Sequence, residues 1–563
     1  MSISGSIGMA KLEKEVHFED VLTLAGGTGW WQLLLISWMS LFFLTVPFTC
    51  FSMIFMGETP DYLCADGQPK NATFASLSEA AAERCRAPDG QPCRRWLYDT
   101  NFTGSSVVTQ WDLVCERRPL LSTIQSVMQF GGLFGSLGAG VLGDRLGRRT
   151  VYLAMMTVYV LGALLGSVVS LYEMFLVTRF ASGVGWMGVV STSFVLIVEL
   201  TGMRWRAWAG QLYMLPNALG QVVLAGVAYK LRVWWQLQLA LSLPLLVFVL
   251  SWWLVPESPR WLILRGRDDD ALKVLATTAR VNGHELPDDA QLHRMLKEVR
   301  RSELAAEEAA AGGGLCADTV KLWSSRVLRR WMLATIVCWI AVCGAYFGLS
   351  FDVTQLSENA YLAGGLSGLV EIPAYFMAPF LDRFGRRPVA SGTFFFAGVS
   401  MMLILVEDQP KLWLVAGLSG KLFISCVYAM IFVYTPEYIP TSVRTVGFGI
   451  ANVCSRFGSM TAPYVVDLTH DIHRAAPSVV FGSGCLLASL AVLLLPETAG
   501  RPLPETVEEV EAGVLDERLD RAKDSLDNPD GQGMSSDAPG GLVNESFVGG
   551  PTGDDEERTI SNL

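Results

Sequence analysis

Runs of about 20 apolar residues, parted by short polar breaks, recur along most of the 563-residue chain. A helix needs about 20 apolar residues to cross the hydrocarbon core of a bilayer, so each run reads as a transmembrane helix. The first, Trp30 to Met56, is too long for a signal-peptide core and lacks a small-residue cleavage site. Further runs lie near 119–143, 150–171, 174–198, 207–229 and 233–255. After a polar segment over 256–328 come runs near 331–350, 360–381, 389–406, 412–435, 443–466 and 477–495. The pattern predicts an all-α membrane protein with twelve transmembrane helices in two six-helix halves. A large extracellular loop over 57–118 parts the first two helices. The second half runs over 329–495, between the 256–328 loop and a tail over 496–563.

Basic residues orient the bundle. Arg145, Arg148 and Arg149 follow the second run, and Arg383, Arg386 and Arg387 follow the eighth. The positive-inside rule puts these loops, the central loop and both termini (1–29 and 496–563) in the cytoplasm. The 57–118 segment then lies outside. It carries Cys64, Cys85, Cys93 and Cys115, enough for two disulfides in an oxidising compartment, with the pairing open. It also carries two glycosylation sequons, at Asn71 and Asn101.

Composition agrees. Only 17% of residues are charged and 51% are hydrophobic, too little charge to clothe several soluble cores. The net charge of −11 belongs to the tail: from Glu497 to Leu563 there are 17 acidic residues against 5 basic ones. No basic surface for nucleic acid is implied. All five histidines lie outside the predicted spans, no metal-ligand spacing occurs, and no phosphate-binding Gly-Lys-Ser/Thr loop is present. The chain is expected to be no enzyme, with no catalytic residues, cofactor or metal. The tail from about 523 onward has a disordered composition. Its last residues, Ile560-Ser-Asn-Leu563, fit capture of a free carboxylate by a PDZ-domain protein.

The two halves repeat each other. Gly143-Asp-Arg-Leu-Gly-Arg-Arg149 recurs as Asp382-Arg-Phe-Gly-Arg-Arg387, with Asp144 and Asp382 offset by 238 residues. Glu199 and Arg206 recur as Glu437 and Arg444, again at 238, and Pro256-Glu-Ser recurs as Pro496-Glu-Thr at 240. This predicts a duplicated transporter. The charged motifs (Asp144, Arg145, Arg148, Glu199, Arg206, Asp382, Arg383, Arg386, Glu437 and Arg444) sit at inner helix ends. Ion pairs among them either gate the pore, by holding the halves together in one state and breaking in the other, or serve as permanent clips and topology signals. Gly131, Gly135, Gly138 and Gly140 on the second span suit close helix packing or a sliding interface.

On these motifs, together with Trp111-Asp-Leu-Val-Cys115, Pro256-Glu-Ser-Pro-Arg-Trp261, Tyr434-Thr-Pro-Glu-Tyr-Ile-Pro-Thr441 and Pro496-Glu-Thr-Ala-Gly500, the chain resembles the organic cation/carnitine transporter family of the major facilitator superfamily. The resemblance runs from about Phe18 to Val510 and includes the large outer loop, which the similar sugar porters lack.

A charge at the bilayer centre costs at least about 2.5–3.5 kcal/mol, so mid-span charges are candidate sites. Two are read near mid-span: Glu371, beside Pro373, and Arg456. The resemblance implies a cation site at Glu371. It also implies that arginine at the place of Arg456 marks anion or carnitine carriers rather than pure cation carriers. Glu371 and Arg456 together suit the two ends of a zwitterion, or neutralise each other when the site is empty. Tyr213, Tyr346 and Tyr375 lie at cavity depth, where ring faces attract quaternary ammonium. The resemblance puts Tyr213 and Tyr346 at cavity positions; Tyr375 stands where related anion carriers have lysine. The expected function is alternating-access transport of small organic cations or zwitterions, carnitine-like quaternary ammonium compounds among them. The expected membrane is the plasma membrane, with sodium or a proton as a possible coupling ion. The rivals are an organic anion exchanger centred on Arg456 and a non-transporting receptor or scaffold of the same fold.

Overall fold

The computed structural model describes residues 17–66, 74, 84–87, 89–99, 104–202, 209–210, 212–310, 314–352, 359–376, 383–405, 410–470, 472–473, 475–501 and 503–513. The sequons at Asn71 and Asn101, the motif residues Arg206 and Asp382, and the terminal Ile560–Leu563 lie outside them. The chain divides into a unit Met1–Val510, which holds the helical bundle, and a unit Glu511–Leu563.

The first half is built from α1 (Trp30–Cys50), α2 (Pro119–Leu146), α3 (Arg148–Leu165), α4 (Tyr172–Leu200), α5 (Pro216–Lys230) and α6 (Trp234–Ser242, continued by a 3₁₀ helix Leu243–Leu250). The second half follows with α7 (Arg326–Asp352), α8 (Ala360–Glu371), α9 (Arg386–Met402), α10 (Pro410–Tyr438), α11 (Arg444–His470) and α12 (Ala476–Val492). The twelve-helix architecture expected from the apolar runs is present. Among the described residues eight helices are long and apolar enough by themselves to cross a membrane. The other four are α5, α8, α11 and α12, which are either shorter or interrupted by charge.

Local chemistry sets the helix ends. Pro119 and Pro216 start α2 and α5, where the missing N–H costs nothing. Asn359 caps α8 by accepting from the Leu362 N–H at 3.1 Å. Pro373 forbids the next intrahelical bond, and α8 gives way to a 3₁₀ turn over Ile372–Phe376. That break leaves Glu371 as the last residue of the α-helix.

The loop between α1 and α2 is pinned by a short antiparallel pair, β1 (Tyr62–Cys64) and β2 (Trp96–Tyr98), and by disulfides Cys64–Cys93 and Cys85–Cys115. Trp111 anchors it to the bundle by donating to the Ser170 carbonyl at 2.8 Å and packing on Trp234.

The halves meet mainly along two seams. Where α2 meets α11 at the disulfide-loop end, Ser122 bonds the Asp467 carboxylate and the Pro463 carbonyl. Nearby, Ser126 donates to the Met460 carbonyl at 2.6 Å, and the Thr123 and Tyr464 hydroxyls are 3.0 Å apart. Where α5 meets α8, Gly368 lets the backbones touch: a Cβ there would stand 2.6 Å from the Ala218 carbonyl oxygen. Phe55 stacks on Tyr361 nearby, with ring centroids 5.4 Å apart. Toward the opposite, tail end, Gly138, Gly140 and Gly143 of α2 and Gly449 of α11 have open space where a Cβ would stand.

Candidate functional site

The α5–α8 seam carries a polar cluster across the middle of the bundle. Glu371 is 1% exposed, and its Oε2 accepts from Asn217 Nδ2 at 3.3 Å and from the Tyr346 hydroxyl at 3.2 Å. Asn217 belongs to the first half and Tyr346 to the second, so the carboxylate ties the halves together. Its ionic partner is Lys421 of α10, with Nζ 2.9 Å from Oε1 and no exposure. The ammonium also lies 3.5 Å from the centroid of the Tyr346 ring and bonds Ser350 Oγ. Phe51, just past the end of α1, brings its ring to 5.8 Å from the same nitrogen.

This corrects the pairing expected from sequence. Glu371 is neutralised by Lys421, not by Arg456, because α10 rather than α11 packs its charged residue against the broken end of α8. Reading only two charges near mid-span missed Lys421. It also missed Arg179 on α4, which is buried and donates to the Thr49 carbonyl at 2.9 Å and to Gln125 Oε1 at 3.3 Å. The signal was available: Lys421 interrupts the apolar run over 412–435.

Arg456 is 3% exposed and, among the described residues, forms no ion pair. Its guanidinium reaches Asn452 Oδ1 at 3.4 Å and Met187 Sδ, on the first half, at 3.9 Å, while its Nε has no hydrogen-bond partner. Tyr428 links it to the acid: the Tyr428 ring stacks on Tyr346 at 5.0 Å and its hydroxyl lies against Arg456. The cluster thus holds one carboxylate and two cations, an excess of one positive charge. A buried cation with unfilled N–H sites stays costly until an anion completes it.

The tyrosines divide. Tyr346 sits in the cluster. Tyr375, in the 3₁₀ turn, is half-buried beside Glu371 and bonds Asn217. Tyr213 is buried within the first half, packed on Phe43 at 4.3 Å with its hydroxyl 2.8 Å from Ser193.

At the tail end the repeated motifs form two matching knots, each inside its own half. Arg148 pairs with Asp144 at 2.9 Å and Glu199 at 3.4 Å; Arg386 pairs with Glu437 at 3.2 Å. Glu257 accepts from the Arg149 N–H at 3.0 Å, and Glu497 accepts from the Arg386 and Arg387 N–H groups at 2.9 and 3.0 Å. Each carboxylate caps the first turn of α3 or α9, where the helix dipole favours an anion. Burial pushes the Glu497 carboxyl up, but backbone donors from Ala499, Arg386, Arg387 and Thr498 outweigh it and hold it below the ordinary range. Gly147 and Gly385 make the turns with φ of 101° and 86°, and a Cβ on Gly147 would fall 2.3 Å from Glu257 Oε2. Arg145 and Arg383 are exposed, and Arg444 Nε donates to the Ile439 carbonyl at 3.1 Å.

The family described as "Sugar (and other) transporter" matches residues 98–510. The organic cation transporter protein of Drosophila melanogaster is 31% identical over 88% of this chain and 94% of its own length. Organic anion transporter 3 of Homo sapiens is 31% identical over 93% of this chain and 98% of its own. Among solved structures, the inward-open xylose transporter XylE of E. coli shares the fold at a TM-score of 0.54 and 15% identity, covering 88% of this chain and 98% of that one.

Proposed function

Because the chain belongs to the sugar (and other) transporter family of the major facilitator superfamily, in its organic cation and organic anion transporter branch, we propose that it carries small organic ions bearing a carboxylate across the plasma membrane by alternating access. A multi-pass membrane transporter of small organic substrates is what the family establishes; the carboxylate is the reading of this site. One observation carries it: Arg456 is a buried guanidinium without a carboxylate partner among the described residues, beside a Glu371 already neutralised by Lys421. A substrate carboxylate would fill its unused N–H sites in bidentate fashion. A purely cationic substrate would add to the excess positive charge of the cluster.

The zwitterionic, carnitine-like reading keeps specific support. The Tyr346 ring face already holds an ammonium, that of Lys421. A substrate's quaternary ammonium would compete for that face while its carboxylate takes Arg456. In the described state the α2–α11 and α5–α8 contacts close the disulfide-loop end. Reopening that end would break the Ser122–Asp467 and Asn217–Glu371 links. The two tail-end knots, intact within their halves here, would then meet across the seam and act as the gate.

The test is uptake by cells expressing the full chain, using three labelled compounds matched in size: a carboxylate, its zwitterionic trimethylammonium derivative, and the corresponding cation without the carboxylate. The proposal expects the first two to enter and the third to be excluded. Uptake of the cation alone would overturn it.

A further inference from the structure

On the outer surface of the second half, away from the central cluster, α7 and α12 leave a groove of about 390 Å³. Its tail-end rim is Arg326, Arg329 and Arg330, and its walls include Leu333 and Val337 of α7 and Leu494 just beyond α12. These α7 positions share one helical face, since residues three, four, seven and eleven apart fall within about 100° of one another. From Arg326 to Val337 the helix climbs about 16 Å, roughly the hydrocarbon depth of one leaflet. The three arginines are exposed, and among the described residues none has a carboxylate partner. Leu333 and Leu494 are exposed as well, at 54% and 42%.

A stripe that begins with three unpaired guanidiniums and continues as bare apolar surface matches one kind of molecule: an anion attached to a hydrocarbon chain. Guanidiniums bind phosphate with parallel hydrogen bonds, and basic pockets between membrane helices select anionic headgroups. We propose that this groove holds one anionic phospholipid from the leaflet at the tail end of the bundle. Its phosphate would lie against Arg326, Arg329 and Arg330, and one acyl chain would lie along Leu333, Val337 and Leu494. The consequence reaches the centre, because α7 also carries Tyr346 and packs on α12, with Cys338 Sγ 3.7 Å from the Ala488 carbonyl. A lipid wedged between these helices braces the element that presents Tyr346 to Glu371.

The experiment is native mass spectrometry of the purified full chain, titrated in detergent with phosphatidylserine, phosphatidylcholine or soluble glycerophosphoserine. The expected result is retention of phosphatidylserine at roughly tenfold lower concentration than phosphatidylcholine, with no displacement by the soluble headgroup. Replacing the three arginines with glutamine should abolish the preference, and replacing them with lysine should keep most of it. Leu333→Trp, which fills the groove and leaves the charges, should weaken phosphatidylserine retention about as much as the glutamine variant. Equal retention of both lipids, an unchanged glutamine variant, or a Leu333→Trp variant that binds as wild type would each overturn the proposal.

Discussion

Removing the ammonium of Lys421 tests the central ion pair most severely. At 2.9 Å and an effective dielectric constant of about 20, the Coulomb attraction is about 6 kcal/mol. Desolvating both ions offsets most of that, so the pair itself need not stabilise the fold. Breaking it is different. Lys421→Met leaves Glu371 buried against Tyr346 and Asn217 with no counter-ion, at an expected cost of about 3–5 kcal/mol. Glu371→Gln alone strands Lys421 in the same way. The double variant strands neither charge, and both Tyr346 and Asn217 can still bond the Gln carbonyl. It should therefore recover most of the lost stability. The assay is a double-mutant cycle on the detergent-purified chain, read by thermal unfolding midpoint and by surface abundance in cells. A double variant as unstable as the two single losses combined would refute the pairing.

Three other outcomes follow from the geometry. Gly147→Ala and Gly385→Ala force L-residues to φ near 101° and 86° and push a Cβ toward Glu257 or Glu497, so each should lower the unfolding midpoint by an amount equivalent to about 1–3 kcal/mol. Glu497 has a depressed folded-state pKa, so its stabilisation is complete above the ordinary carboxyl value of 4.5 and disappears as pH falls through the folded value; Glu497→Gln should be less stable at neutral pH and flatten the acid limb of a midpoint-versus-pH curve. Cys85→Ser opens a loop whose disulfide ends are 30 residues apart, which should cost about 3–4 kcal/mol by loop entropy and appear as protease sensitivity of the loop.

The architecture was legible because it rests on features that survive in one dimension. Apolar run length gives the helices, and the offsets of Asp144 to Asp382 and Glu199 to Glu437 give the two halves. Pro373 announced the break in α8 that leaves Glu371 at its end. Partner choice was not legible. Nothing local to Glu371 says whether α10 or α11 will bring the opposing charge, although Lys421 is visible as a lone cation in the apolar run over 412–435. Asn217 and Tyr428 gave no signal at all. Their role comes from Gly368 letting α5 approach α8, and from ring stacking on Tyr346. Tyr213 shows the converse. Depth along the helix suggested a cavity, while the side chain turned toward Phe43 and Ser193.

The carboxylate reading stands on Arg456, and equilibrium binding measures it directly. A labelled organic carboxylate or zwitterion taken up by the wild-type chain would be titrated against purified protein carrying arginine, lysine or glutamine at position 456. Loss of a charge-assisted bidentate contact worth about 1.5–3 kcal/mol predicts binding weaker by roughly tenfold or more in Arg456→Gln, with partial retention in Arg456→Lys. Unchanged affinity in Arg456→Gln would contradict the account.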